Sequence, residues 1–199
     1  MRAQARIGPI AIAATAGLAT GQAIITPVNA VGPVGFSGSN VLHTIDGSGL
    51  SGPASAAATH SATVPTNSYA AGFAAGPLVV VYDLGGVFSV NGGLLWNQNA
   101  GGPGPNGITG VASVFFEGSL DGVNFFALGN ANFLQEMGGI SAAQGFAFAG
   151  ANTAFVRLTV NSNHGDTVNS GLAEIRFIPN GSAAALLGFG GLVAARRRR

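Results

Sequence analysis

The sequence has no cysteine and no lysine, a single tryptophan, and only 8% charged residues in 199 positions. Without cysteine there can be no disulfide, no thiolate zinc site and no cysteine nucleophile. With so little charge, solubility has to rest on Asn, Ser, Thr and exposed backbone, a surface common among exported bacterial proteins. The 33 glycines and 9 prolines make up about a fifth of the chain, below the roughly 25–30% at which composition alone points to disorder. The length fits one domain with short tails and a packed core.

The charges are unevenly placed. All eight basic residues are arginines, and six sit at the ends: Arg2, Arg6, Arg196, Arg197, Arg198 and Arg199. Between Ala23 and Ala195, Arg157 and Arg176 stand against Asp46, Asp83, Glu117, Asp121, Glu136, Asp166 and Glu174, so the body is acidic. It has no basic stripe to neutralise phosphates, which argues against nucleic-acid binding.

The two ends read as addresses. Residues 1–23 combine two early arginines, a short apolar run from Ile7 to about Thr20 and the small-residue approach Thr20-Gly21-Gln22-Ala23, the pattern of a signal peptide whose partner is signal peptidase. Residues 179–199 open with Pro179-Asn180-Gly181-Ser182, continue with a small-residue apolar run from Ala183 to Ala195, and close with Arg196 to Arg199. The run is too short for a stable membrane span, which needs about 20 residues, but suits a transient membrane contact with the arginines left in the cytoplasm. This three-part tail resembles the PEP-CTERM sorting signals of Gram-negative bacteria, with Pro-Asn-Gly where that family usually shows Pro-Glu-Pro. The resemblance implies a short hydrophobic sorting helix, an exosortase-type membrane protease as partner, and a destination at the cell surface or in the extracellular matrix.

From Ile24 to about Gly76 the sequence predicts loops and short strands, with residues 24–37 as a linker. From Pro77 onward, apolar runs of four to eight residues rich in Val, Phe, Ile and Thr are separated by Gly85-Gly86, Asn91-Gly92-Gly93, Asp121-Gly122 and Gly129-Asn130. Such runs read as strands, and no segment between the two terminal signals carries helical periodicity. Val114 and Phe116, and likewise Phe155, Arg157 and Thr159, alternate with their neighbours as one face of a strand should. About eight strands in an all-β sandwich are expected. Asp121-Gly122 predicts a tight hairpin turn. Arg157 is expected to pair with a carboxylate such as Asp83 or Glu174.

Six pieces in order resemble one family. They are Asn40 to Leu50, Val80 to Gly86, Leu94-Leu95-Trp96-Asn97, Phe116 to Phe125, Ala154 to Val160, and Asn163-His164-Gly165-Asp166 leading to Gly171 to Phe177. Their succession over residues 38–178 is similar to the discoidin family, the coagulation factor V/VIII type C domains, whose relatives include galactose-binding-like carbohydrate-binding modules. The resemblance implies a jelly-roll β-sandwich with a binding surface of loops at one end. It also implies a structural calcium, mapping onto Asp46 and Glu174 with carbonyls of the Ile45 to Leu50 loop. The alternative is that Asp46 caps its turn and Glu174 pairs with an arginine.

Gly47-Ser48-Gly49-Leu50-Ser51-Gly52 matches a dinucleotide fingerprint by letter, but no helix or parallel-sheet rhythm follows it. His43, His60 and His164 are isolated, so no catalytic set is evident. Asn163-His164-Gly165-Asp166 is expected to be structural, with the Asp and His side chains bonding the turn backbone. Trp96 can stack on a sugar or fill the core, and its mid-strand position favours the core. The long polar loop from Asn97 to Gly107 is the candidate recognition element, with Asn97, Gln98, Asn99 and Asn106 offering amides to sugar hydroxyls. The expected function is therefore non-catalytic: an exported surface or matrix protein that binds exopolysaccharide or another envelope component. A second reading is a matrix or biofilm component without a specific ligand.

Overall fold

A computed structural model of the chain describes residues 23–74, 76–100 and 106–180. Residues 1–22, where a signal peptide is expected, and the apolar run and arginine cluster of the expected sorting tail lie outside them. Nine strands run through the described residues in this order: β1 Asn29–Val31, β2 Thr59–His60, β3 Tyr69–Gly72, β4 Val79–Asn97, β5 Val111–Ser119, β6 Phe126–Asn132, β7 Ser141–Ala142, β8 Gln144–Asn163 and β9 Asn169–Pro179. Two 3-10 turns, Phe36–Gly38 and Val41–Thr44, precede β2.

Two long strands build the sandwich by taking part in both of its layers. The first half of β4 pairs with β1 and with Phe155–Thr159 of β8, while its second half pairs with β9 and with the first half of β8. The register shifts between Asp83 and Phe88 and between Val90 and Gly92. Gly92 marks the second of these shifts: its φ is 156°, and a Cβ there would stand 2.1 Å from the Phe146 carbonyl oxygen. One layer is completed by β5 and β6 beyond β8, the other by β3 beyond β9. All the named pairings are antiparallel.

The alternation seen in the sequence becomes the core. Val80, Tyr82 and Leu84 of β4, Val114 and Phe116 of β5, and Val156, Leu158 and Val160 of β8 are buried, and the residues between them are less so. The layers meet through aromatic contacts: Phe116 stacks on Phe146 at 4.6 Å, and Tyr82 meets the edge of Phe177 at 5.9 Å. β9 is buried almost throughout, because a second cluster of Leu94, Trp96, Ala173 and Ile178 is covered by Leu50, Ala54, Ala56 and Ala58. Trp96 is a core residue, and its indole N–H donates to the Ala58 carbonyl at 2.8 Å.

Three expectations are corrected. Residues 24–37 are not a linker: Ile25 exchanges backbone hydrogen bonds with Phe177, and β1 lies within the stretch and adds to the sheet. Arg157 pairs with Glu117, not with Asp83 or Glu174, through two hydrogen bonds of 2.6 Å, and its guanidinium lies over the Phe125 ring. The two residues are register partners on β5 and β8, a cross-strand relation that sequence spacing does not reveal. The turn at Asp121 is a six-residue loop and not a tight hairpin, since β5 ends at Ser119 and β6 starts at Phe126. Within it Asp121 Oδ1 accepts the N–H groups of Val123 and Asn124, and Gly122 takes a φ of 75°.

Candidate functional site

The loops that follow β2, β4 and β8, together with the 3-10 turn at Phe36–Gly38, converge at one end of the sandwich around a cleft of about 180 Å³. Phe36, Val64, Gln98, Thr109, Asp166 and Asn169 line it. Phe36 is 56% exposed, although it is the one Phe, Tyr or Trp between Ile24 and Ser68.

The walls are tied down by hydrogen bonds between distant segments. Ser39 Oγ donates to the Ala70 carbonyl at 2.9 Å, and the Tyr69 hydroxyl donates to the Pro33 carbonyl at 2.6 Å, which fastens the segment carrying Phe36 to β3. Thr63 donates its N–H to Asn99 Oδ1 at 2.8 Å, and its hydroxyl oxygen accepts the Ala100 N–H at 2.8 Å. Asp166 Oδ2 accepts the Thr109 hydroxyl at 2.8 Å, while Oδ1 accepts the Val168 and Asn169 N–H groups. Burial opposes ionisation of Asp166, but these three donors outweigh it and hold the carboxyl below its usual range. Asn163 supports the same turn, donating to the Asp166 and Asn169 carbonyls. The turn is thus held by Asn163 and Asp166, whereas His164 contributes no side-chain bond to it and its Nε2 is buried without a partner.

The four amides selected from the polar loop separate into different roles. Asn97 is fully buried: its Nδ2 donates to the Val111 and Leu134 carbonyls, and its Oδ1 accepts the Val111 and Gln98 N–H groups. Asn99 is fully buried as well, donating to the Ser61 and Gly139 carbonyls. Both are corrected from ligand contacts to internal struts, because a loop leaving a sheet must satisfy its own backbone groups before it can offer any to a ligand. Gln98 lines the cleft, and its Oε1 is buried without a hydrogen-bond partner. Asn106 is exposed and its carbonyl accepts from Gln135 Nε2 at 2.9 Å, away from the lining. The remaining lining residues were not legible as a site in the sequence; the isolated aromatic Phe36 was the nearest thing to a signal.

The residues proposed for calcium form a different structure. Glu174 is fully buried and ion-paired with Arg176, and both its oxygens face the Gly47 N–H. Burial pushes the Glu174 carboxyl up to about 7, against the pull of the guanidinium. Arg176 also reaches the Ile175 and Thr44 carbonyls. Asp46 Oδ1 accepts the Ser48 N–H at 2.7 Å, and Oδ2 bonds His43 Nδ1 at 2.9 Å. A guanidinium therefore stands against the carboxylate that a calcium would need, and these residues as arranged do not fit the ion. Among the described residues no group of three or more acidic or histidine side chains converges to hold a metal. Pro179, the first residue of the expected sorting tail, is the last residue of β9 and pairs with Val90.

No protein-family model matches the chain, and no curated protein matches it. Solved structures do. A family 32 carbohydrate-binding module from Clostridium perfringens, in complex with GalNAc-β-1,3-galactose, superposes with a TM-score of 0.57 at 14% identity, covering 78% of this chain and 99% of its own. A second C. perfringens family 32 module, from NanJ and in complex with galactose, gives a TM-score of 0.53 at 12% identity over 77% and 96% of the two chains. The family 32 module of AlyQ, in complex with 4,5-unsaturated mannuronic acid, gives 0.54 at 15% identity over 78% and 98%. The fold is therefore a jelly-roll β-sandwich like that of these modules. The modules themselves are non-catalytic, and some sit beside enzyme domains, as in the AlyQ chain with its alginate lyase domains.

Proposed function

We propose that this protein is an exported, non-catalytic module that binds polysaccharide or another envelope component in the cleft beside Phe36. The observation that carries the reading is that cleft: an exposed aromatic ring, the Gln98 amide and the Asp166 carboxylate brought together by loops at one end of a rigid sandwich. An aromatic face packs against the C–H face of a sugar while a few placed polar groups fix its hydroxyls. The fold supports the reading, since the neighbouring modules were solved with sugars bound. General acid–base chemistry needs a second convergent titratable group, and Asp166 is the one carboxylate among the lining residues.

Delivery to the surface or matrix rests on residues 1–23 and 179–199, with signal peptidase and an exosortase-type protease as export partners. Purified protein on a glycan array and in exopolysaccharide pull-down tests the binding. A saturable affinity lost in Phe36→Ala and Gln98→Ala supports it and excludes a ligand-free matrix role, whereas no binding to any glycan removes it. Intact mass of the protein from membrane and extracellular fractions tests the sorting. A species lacking both terminal segments is expected, and one retaining Arg196 to Arg199 would end the argument for tail processing.

A further inference from the structure

Among the described residues the cleft carries one charge, and it is negative. Asp166 has its carboxyl held in the ionised form by Thr109, Val168 and Asn169, and no arginine or histidine is among the lining residues. The two arginines of the body are engaged elsewhere, Arg157 with Glu117 and Arg176 with Glu174. His60 is fully buried, with its ring nitrogens turned to the Ser48, Ser61 and Asn67 carbonyls. Residues 101–105, which follow the Gln98 loop in sequence, are Gly-Gly-Pro-Gly-Pro and add no ionisable side chain. Gln98 brings no charge to the lining, and its Oε1 is buried.

An acidic sugar entering such a cleft would give up water around its carboxylate, meet Asp166 at close range and find no cation. A hydroxyl has the opposite fit, since it can donate to the carboxylate. We infer that the cleft selects sugars presenting hydroxyl donors and no acid group, and rejects uronates and sulfated glycans; this rests on the glycan-binding reading above. Rejection by an unpaired like charge gives specificity without tighter contacts to the accepted ligand.

The test uses matched pairs that differ at C6 alone, galactose with galacturonate and glucose with glucuronate, titrated into the full protein by calorimetry at low and at high salt. The neutral member of at least one pair is expected to bind roughly tenfold more tightly than its uronate at low salt, with the gap narrowing at high salt. Asp166→Asn should narrow it at low salt too, because Asn can still accept the Val168 and Asn169 N–H groups. Should that variant fail to fold, the salt dependence of the natural protein decides. A uronate bound as well as or better than its neutral partner overturns the selectivity and leaves glycan binding standing. If neither these sugars nor the wider glycan array shows binding, the parent reading fails and the selectivity with it.

Discussion

Asn97 and Asn99 look like Gln98 in sequence, yet burial separates them. Each amide of the two asparagines satisfies backbone groups from distant loops, and removing one leaves several buried polar atoms without partners. Asn97→Ala is expected to cost about 2–3 kcal/mol in urea unfolding. Gln98→Ala should cost clearly less, because the buried Gln98 Oε1 has no hydrogen bond to lose, while removing sugar binding. Equal stability losses in the two variants would refute this division. Asp121 and Asp166 provide a second residue-scale prediction. Both carboxyls are held below their ordinary value, Asp121 by the Asn124 and Val123 N–H groups and Asp166 by its three donors despite burial. A carboxyl depressed in the folded chain stabilises above the unfolded value of about 4 and loses that contribution as pH falls through the folded value. Stability should therefore fall on acidification below about pH 4, and Asp121→Asn with Asp166→Asn should flatten that limb.

The bends in β4 and β8 are what make a sandwich from strands of 19 and 20 residues. At Gly92 any side chain would strike the Phe146 carbonyl across the β4–β8 ladder, so Gly92→Ala is expected to destabilise by more than about 2 kcal/mol. A neutral result in urea unfolding would mean that the bend relaxes. The loop containing Gln98 has its own constraint at Gly107, where φ is 74° and a Cβ would lie 1.7 Å from the Glu136 carbonyl oxygen. The glycine–asparagine punctuation that marks these strand ends was readable in the sequence, because turn residues report local backbone geometry. The union of three predicted runs into one bent β4 was not, since the pairing partners on either side of Gly85-Gly86, Phe155 and Thr153, lie about 70 residues away.

Across the whole molecule, Glu174, paired with Arg176, ties the Asp46 loop to β9 by accepting the Gly47 N–H. Removing one partner of a buried pair leaves the other uncompensated, so Arg176→Leu should lower stability by about 3–5 kcal/mol. Chelation with EDTA should leave Tm unchanged within about 1 °C, because a ligand stabilises a fold only by binding it. A calcium-dependent rise of several degrees would show an ion site that this arrangement does not supply. The all-β class, the alternating core of Val114, Phe116, Leu158 and Val160, the place of Trp96 and the acidic body were determined by the sequence itself, because strand periodicity, turn chemistry and charge are local or additive properties. The tertiary structure alone decided that Arg157 meets Glu117, that Asn97 and Asn99 face inward, and that Phe36, Gln98 and Asp166 share one cleft. Those relations depend on which strands become neighbours and in what register, and contacts between residues far apart in the chain, such as Arg157 with Glu117 or Asn99 with Ser61, leave no mark in local spacing.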